Sequence, residues 1–158
     1  MVIENIKKRL ESQSILYSQD SINNKKSVIG YDKIFKWRWI ATQLNTFIVA
    51  VDIGSEVVTE KLISQYIDES FNYAKSHYKG WPRGFQSGIA VITILVSDHI
   101  NEDAIEYCKK LKSGKKWAAF TVPVIINSST NESHYFEKKP IWGRIYFSYL
   151  KNMISGLL

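Results

Sequence analysis

Residues 88–127 decide the fold of this chain, and they read GIAVITILVSDHINEDAIEYCKKLKSGKKWAAFTVPVIIN. The stretch begins with an apolar, β-branched run over residues 88–96, which is typical of a strand buried on both faces. Asn101 then caps a predicted helix with acidic residues in its first turn and lysines in its last, and Gly114 ends that helix. Residues 117–127 predict a second buried strand. Strand, helix and strand in this order form a βαβ unit, whose two strands run parallel.

The N-terminal third predicts a helix, a loop and an antiparallel hairpin. Residues 2–10 have isoleucine and leucine at helical spacing, and residues 18–26 are polar and turn-like, with two asparagines at the tip. A period-two pattern starts at Val28, and residues 47–51 predict a second strand that is apolar on both faces. The residues expected to connect these two strands are Gln43, Asn45 and Thr46.

The remaining elements complete a mixed α/β pattern. Residues 59–78 predict a long helix with one apolar stripe and Thr59 as its N-cap. A short outer strand over residues 133–137 and a final helix starting at Pro140 follow the βαβ unit. The order predicts a single-domain α/β (mixed α+β) protein over residues 1–158, with a mixed sheet flanked by helices, one βαβ unit and an N-terminal hairpin.

This order of elements is similar to the core of the restriction-endonuclease-like superfamily. The likeness is one of topology, and function does not follow from topology. A nuclease of that kind needs an acidic residue on one strand and Glu/Asp-x-Lys on the next to hold Mg²⁺. Asp32 and Asp52 lie near predicted strand ends, but no Glu/Asp-x-Lys occurs between residues 47 and 58. A degenerate, nuclease-like domain therefore remains only an alternative.

Composition excludes several classes of protein. The chain is 45% hydrophobic and 13% aromatic, which excludes a disordered protein. Its one cysteine, Cys108, excludes a disulfide framework and a multi-cysteine metal site, and we expect no metal and no cofactor. No apolar run reaches the roughly 20 residues of a membrane-spanning helix, and the charged N-terminal segment does not fit a signal peptide. We expect a cytoplasmic protein without a membrane association.

The net charge of +6 permits a polyanionic partner but does not require one. Nucleic-acid binding needs cations clustered on one face, and the sequence alone does not show whether its lysine pairs converge. These pairs are Lys7-Lys8, Lys25-Lys26, Lys109-Lys110, Lys115-Lys116 and Lys138-Lys139.

Polar residues end the two strands of the βαβ unit. Asp98 and His99 follow the first strand, and Asn127 ends the second. Ligands of open α/β sheets bind at the carboxyl ends of parallel strands, so these three residues are a candidate ligand site. Residues of the same types are also common in strand-to-helix turns, where they satisfy backbone groups.

Two segments combine aromatic and basic residues. In residues 33–39, alternation predicts that Phe35, Trp37 and Trp39 face the core, while Lys36 and Arg38 form a solvated face open to phosphates or a partner. The second segment is a loop that contains Trp81 and Arg83, and a similar pattern recurs at Trp142 and Arg144. If these two loops met in space, they would form one aromatic and basic patch for a partner.

We therefore expect a soluble protein without catalytic activity that serves as a binding or interaction module. A protein partner or a second copy of the chain ranks ahead of nucleic acid. The enzyme alternative is a small-ligand site around Asp98 and His99.

Overall fold

One six-stranded mixed sheet organises the part of the chain that the computed structural model describes, which is residues 1–39, 41–83, 87–110, 119–137 and 144–158. The strands are β1 (Leu16–Ile22), β2 (Lys25–Lys36), β3 (Thr42–Gly54), β4 (Ser87–Ser97), β5 (Ala119–Asn127) and β6 (Ser133–His134). The helices are α1 (Val2–Ser12), α2 (Glu60–His77), α3 (Glu102–Lys110) and α4 (Phe147–Leu157), and short 3₁₀ helices cover Trp37–Trp39 and Arg144–Tyr146. The mixed α/β class predicted from the sequence is confirmed.

The first three strands form an antiparallel meander. β1 pairs with β2 through a tight turn at Asn23 and Asn24, whose φ angles of 50° and 61° suit asparagine in a two-residue hairpin. The prediction of a loop over residues 18–26 is therefore wrong, although its tip was placed correctly. The polar pattern arises because β1 is an edge strand in which three consecutive residues, Gln19 to Ser21, are exposed.

The connection from β2 to β3 differs from the prediction. β2 ends at Lys36, a 3₁₀ turn follows, and Ala41 adopts φ 53° immediately before β3 begins at Thr42. The residues predicted to form the connection, Gln43, Asn45 and Thr46, lie inside β3 and are buried. The chain reverses earlier than expected, and these polar side chains belong to the interior. The antiparallel pairing of the two strands is confirmed.

The centre of the sheet is parallel, as predicted. β4 pairs with β5 so that Ile92 lies opposite Val122 and Ile94 opposite Val124, with α3 as the crossover. β3 and β4 are also parallel and are joined by α2, so the fold contains two βαβ units where the sequence predicted one. The N-cap of α2 is Thr59, whose hydroxyl accepts from Leu62 N (3.2 Å), as the sequence indicates.

Helices cover both faces of the sheet. The apolar stripes of α1 and α4 pack on one face, and those of α2 and α3 pack on the other. Residues on β3 and β4 alternate between the two cores, which explains why these strands are apolar throughout. Within the described ranges, no helix has both the length and the apolar character to cross a membrane.

Some predicted features lie outside the described residues. They are Gly114, the beginning of the strand at residues 117–118, and Pro140 as the start of the last helix. Within the described residues, the last helix is α4, which begins at Phe147 after the 3₁₀ turn, and the outer strand predicted over residues 133–137 is limited to Ser133–His134 as β6.

Candidate functional site

The parallel strands give the sheet two distinct ends. At the carboxyl end, β3, β4 and β5 finish and α2 and α3 begin. At the amino end, the same strands start, the β2–β3 connection turns and α2 finishes. The predicted ligand residues fall at the first end, and both described aromatic and basic segments fall at the second.

The structure brings the predicted ligand residues to one edge. Ser97 lies opposite Asn127 in the β4–β5 register, and Ser128 N donates to Ser97 O (2.9 Å). Asp98 and His99 are both exposed, and Oδ1 of the carboxylate lies 2.6 Å from His99 Nδ1. The geometry is that of an exposed side-chain pair at the start of a turn.

The neighbouring polar side chains at the carboxyl end bind backbone groups of their own and adjacent turns. The Ser97 hydroxyl donates to Glu56 O (2.8 Å) and accepts from His99 N (3.1 Å). Asn127 Oδ1 accepts from the N–H groups of Ser129 (2.9 Å) and Thr130 (3.1 Å). These bonds account for Ser97 and Asn127 as turn-forming residues. A ligand role for Asp98, His99 and Asn127 stays a prediction.

Three exposed aromatic side chains meet at the amino end. Trp37 is 81% exposed, Trp81 47% and Phe35 38%. The ring centroid of Phe35 lies 5.2 Å from that of Trp37 and 5.7 Å from that of Trp81. The β2–β3 connection and the loop after α2 therefore contribute to one aromatic cluster.

This cluster corrects the predicted core-facing aromatic face. Only Trp39 is buried, with 2% exposure, while Phe35 and Trp37 face solvent. The alternation breaks because β2 ends at Lys36 and the 3₁₀ turn that follows points successive side chains in new directions. Lys36 lies on the other face of the sheet, where its ammonium packs 4.8 Å from the Trp39 ring centroid.

Four cations accompany the aromatic cluster: Lys33, Arg38, Lys79 and Arg83. Lys33 shares the Phe35 face of β2, Arg38 follows Trp37, and Lys79 and Arg83 flank Trp81 in sequence. The Lys79 ammonium packs 5.5 Å from the ring centroid of Tyr17 on β1. Among the described residues, none of the four has a carboxylate within ion-pairing distance. We call these four cations together with Phe35, Trp37 and Trp81 the aromatic–basic surface.

The acidic residue within these segments faces away from the aromatic–basic surface. Asp32 is the one carboxylate in residues 31–39 and 78–83 of the sequence. Its Oδ2 accepts from the Tyr149 hydroxyl (2.6 Å) on the α4 side of the sheet. Burial, followed by this contact with Asp32, raises the pKa of Tyr149 well above its usual range.

Buried amides beneath the surface hold its loop in place. The Asn45 side chain, fully buried on β3, accepts from the Tyr31 hydroxyl (2.6 Å) and donates to Gln43 Oε1 (3.3 Å) and to Gly88 O (3.4 Å). Gln43 Oε1 also accepts from Trp81 N (2.9 Å). The backbone of Trp81 is thus tied directly to the interior of β3. We call Tyr31, Gln43 and Asn45 the amide network.

Further contacts fix the same loop. The Tyr78 hydroxyl donates to Trp81 O and lies 2.5 Å from Ser87 Oγ, and Lys79 N donates to Tyr31 Oη (3.4 Å). Gly80 passes so close that a Cβ there would lie 2.6 Å from both amide atoms of Asn45. Burial raises the pKa of Tyr31, so its hydroxyl stays protonated even further into the alkaline range than that of an ordinary tyrosine. The exposed Trp81 is therefore presented by a rigid support.

Sequence reasoning missed the amide network. Gln43 and Asn45 were assigned to a loop because they are polar, yet they continue the period-two pattern of β3 toward its start. That spacing, with Gln43 and Asn45 on one face, was the available signal. Trp142 and the Arg144 side chain lie outside the described residues, so their predicted approach to Trp81 stays a prediction.

Lysines elsewhere differ from the cations of the aromatic–basic surface. Five lysines from three of the predicted pairs form ion pairs, which are Lys7–Glu11, Lys25–Glu56, Lys26–Glu4, Lys109–Glu137 and Lys110–Glu106. The pairs at residues 115–116 and 138–139 lie outside the described ranges. Where the structure describes the lysine pairs, much of their charge is locally balanced.

Other potential sites are weaker. A groove of about 670 Å³ between α3 and β6 is lined by Ile105, His134, Glu102 and the two ion pairs of Lys109 and Lys110, so most of the charges among its described residues are paired. Cys108 is buried, and burial raises the pKa of its thiol to about 12. The described residues contain no group of three or more His, Cys, Asp or Glu side chains placed to hold a metal ion.

Comparisons with protein-family models, with curated proteins and with solved structures give no match.

Proposed function

We propose that the chain is a non-catalytic binding module that holds a negatively charged partner macromolecule on its aromatic–basic surface. The observation that carries the proposal is the coincidence of three exposed aromatic rings with four cations that lack a described ion-pair partner. Exposed aromatics and arginine are the residues that most often dominate binding energy, and unpaired cations attract anionic partners over distance.

The support beneath the surface favours the same function. A binding surface that is rigid before contact loses less conformational entropy when the partner arrives. The bond from Trp81 N to Gln43 and the close approach of Gly80 to Asn45 restrict the loop in this way. The amide network therefore serves to position an exposed side chain.

Retention on immobilised heparin, used as a generic polyanion, tests the proposal. The surface variant Lys33→Gln/Arg38→Gln/Arg83→Gln removes three cations from the aromatic–basic surface. The matched control Lys26→Gln/Lys109→Gln/Lys110→Gln removes three cations that form ion pairs elsewhere. We expect the surface variant to elute at clearly lower salt than both the control and the parent protein.

Both variants change the net charge equally, so a difference between them reports the position of the charges. Equal elution of the two variants would mean that retention depends on net charge alone and would contradict the proposal. Circular dichroism of each variant confirms that the fold is intact.

A further inference from the structure

We propose that the partner is a single-stranded nucleic acid, whose bases stack on Trp37 and Trp81 and whose phosphates bind the surrounding cations. This inference rests on the proposed function and names its partner class. Single-strand binding combines aromatic side chains that stack on bases with cations that follow the backbone. In the aromatic–basic surface, the Phe35 ring contacts both tryptophan rings, and the four cations lie in the same two segments of the chain, residues 33–39 and 79–83.

The geometry of the rings favours flat ligands. The Phe35 ring meets Trp37 at 84° and Trp81 at 59°, so neither indole lies parallel against Phe35. The high exposure of Trp37 leaves ring surface open to a planar group. A nucleobase is such a group, and every base has a π-face, so stacking of this kind needs no particular sequence.

The balance of rings and charges distinguishes nucleic acid from an acidic protein. Each nucleotide supplies one base and one phosphate, and the surface offers three rings beside four cations. An acidic peptide would satisfy the cations but would bring no regular series of flat π-systems. A duplex would bring the phosphates but keeps its base faces stacked inside. The single strand matches both features.

The first test is fluorescence anisotropy with a labelled oligothymidine of about 12 nucleotides, a length within the site sizes of single-strand binders. We expect Trp37→Ala and Trp81→Ala each to raise the Kd about 5- to 150-fold, the loss that corresponds to one stacked base. The control Lys109→Gln/Lys110→Gln should leave the Kd nearly unchanged. Unaltered binding by both tryptophan variants would overturn the inference.

A second comparison separates stacking from general apolar contact. Trp37→Phe keeps an aromatic ring, and Trp37→Leu keeps apolar area without one. Because Trp37 is 81% exposed, both variants should fold. We expect Trp37→Phe to retain most of the affinity and Trp37→Leu to lose it. Equal affinities for the two variants would indicate an apolar docking contact and contradict base stacking.

The salt dependence tests the phosphate contacts. For single strands, each neutralised phosphate contributes about −0.7 to the slope of log K against log salt. Arg38→Gln should therefore make the slope shallower by about 0.7 if Arg38 binds one phosphate. The Lys109→Gln/Lys110→Gln control should have the same slope as the parent protein. A slope unchanged by Arg38→Gln would exclude Arg38 as a phosphate contact and contradict the inference.

Three further probes distinguish failure of this inference from failure of the proposed function. If heparin retention depended on the aromatic–basic surface but the protein did not bind oligothymidine, the inference of a nucleic-acid partner would be wrong. The proposed function as a polyanion-binding module would still hold. Equal affinity for a duplex of matched length would overturn the single-strand preference. Binding to phosphatidylserine-containing vesicles, lost in Trp37→Ala, with no binding of oligothymidine would assign the surface to a membrane instead. If heparin did not retain the parent protein at all, both proposals would be overturned.

Discussion

The two ends of the sheet use their polar residues in opposite ways. At the carboxyl end, Ser97 and Asn127 bind the backbone of exposed turns, and the Asp98–His99 pair stands in solvent. At the amino end, the polar side chains of Gln43 and Asn45 are buried, while the rings of Phe35, Trp37 and Trp81 are exposed. Aromatic residues, which are usually found in a core, are exposed at the amino end, and amide residues, which are usually found in loops, are buried there.

The surface that we propose as the binding site therefore lies at the end of the sheet opposite to the one where α/β proteins usually bind their ligands. Ligands collect at carboxyl ends because helix N-termini and strand-end loops converge there. In this molecule the carboxyl end is occupied by turn-forming bonds, whereas the amino end combines exposed rings, unpaired cations and a rigid support. The next four predictions test that difference, in order of expected effect.

Gly80→Ala should have the largest effect on stability. Its Cβ would lie 2.6 Å from both amide atoms of Asn45 and 2.7 Å from Gln43 Oε1, so the loop or the amide network must move. We expect the free energy of unfolding in urea to fall by about 3 kcal/mol. The control is Gly156→Ala in α4, where the nearest atom, Gln13 Nε2, is at 3.6 Å and alanine should stabilise the helix slightly. Similar results for both variants would mean that the Gly80 contact is unimportant.

The two asparagines at opposite ends should respond differently to replacement by alanine. Asn45→Ala removes a buried amide and leaves the Tyr31 hydroxyl and Gly88 O without this partner, so the free energy of unfolding should fall by about 2–3 kcal/mol. Asn127→Ala removes turn bonds to backbone groups that water can satisfy, and the loss should be about 1 kcal/mol or less. Urea unfolding of both variants measures the two losses. A larger loss for Asn127→Ala than for Asn45→Ala would contradict the contrast between the two ends.

Alkaline pH should weaken the fold through Tyr149. Burial and the contact with Asp32 raise its pKa in the folded protein above that of the unfolded chain, which is about 10. The stabilisation that results from this pKa difference is therefore complete below about pH 10. As the pH rises from there toward the native pKa, the free energy of unfolding falls by up to about 1.4 kcal/mol per pH unit. In urea unfolding at several alkaline pH values, Tyr149→Phe should show a correspondingly shallower decline than the parent protein.

Tyr66→Phe, on α2, is the comparison for this pH dependence. Burial, with smaller contributions from Glu56 and Glu69, also raises the pKa of Tyr66, but no carboxylate among the described residues is hydrogen-bonded to Tyr66 as Asp32 is to Tyr149. Tyr66→Phe should therefore reduce the alkaline decline in the free energy of unfolding by less than Tyr149→Phe does. A parent protein whose stability is constant above pH 10 would contradict the assignment.

Ala41→Gly should produce a modest gain in stability. Ala41 has φ 53°, a left-handed conformation in which a Cβ costs about 1 kcal/mol, and glycine removes that cost. At the other end of the sheet, Asn131 has φ 60°, but asparagine tolerates this region, so Asn131→Gly should change stability by only a few tenths of a kcal/mol. Thermal unfolding of both variants makes the comparison. Destabilisation by Ala41→Gly would mean that its methyl group contributes packing that outweighs the backbone cost.

The parts of the fold that follow from local pattern could be predicted from the sequence. The unbroken apolar run of β4 and the capped, charge-graded α3 led directly to the parallel pairing of β4 with β5, although not to its register. The hairpin over residues 18–26 could not be recognised because an exposed edge strand and a loop have the same polar composition. The assignment of Gln43 and Asn45 failed for a related reason, since their burial depends on partners from distant segments.

The aromatic–basic surface was only half predictable. Both of its described segments stood out by composition, and Trp81 and Arg83 were singled out together with Arg38. Their meeting depends on where β2 ends and where α2 returns to the sheet, which local periodicity does not determine. Trp37 and Trp39 illustrate the limit, because one turn of 3₁₀ helix puts one in solvent and the other in the core.

The strand order of the sheet has a consequence for how the protein is made. The six described strands lie in the same order in space as in the chain, so every strand pairs with its immediate predecessor. During synthesis, each of these strands after the first therefore emerges when the strand with which it pairs has already been made. Assembly can then proceed stepwise from the N-terminus, and no early strand has to remain unpaired until a late one is translated.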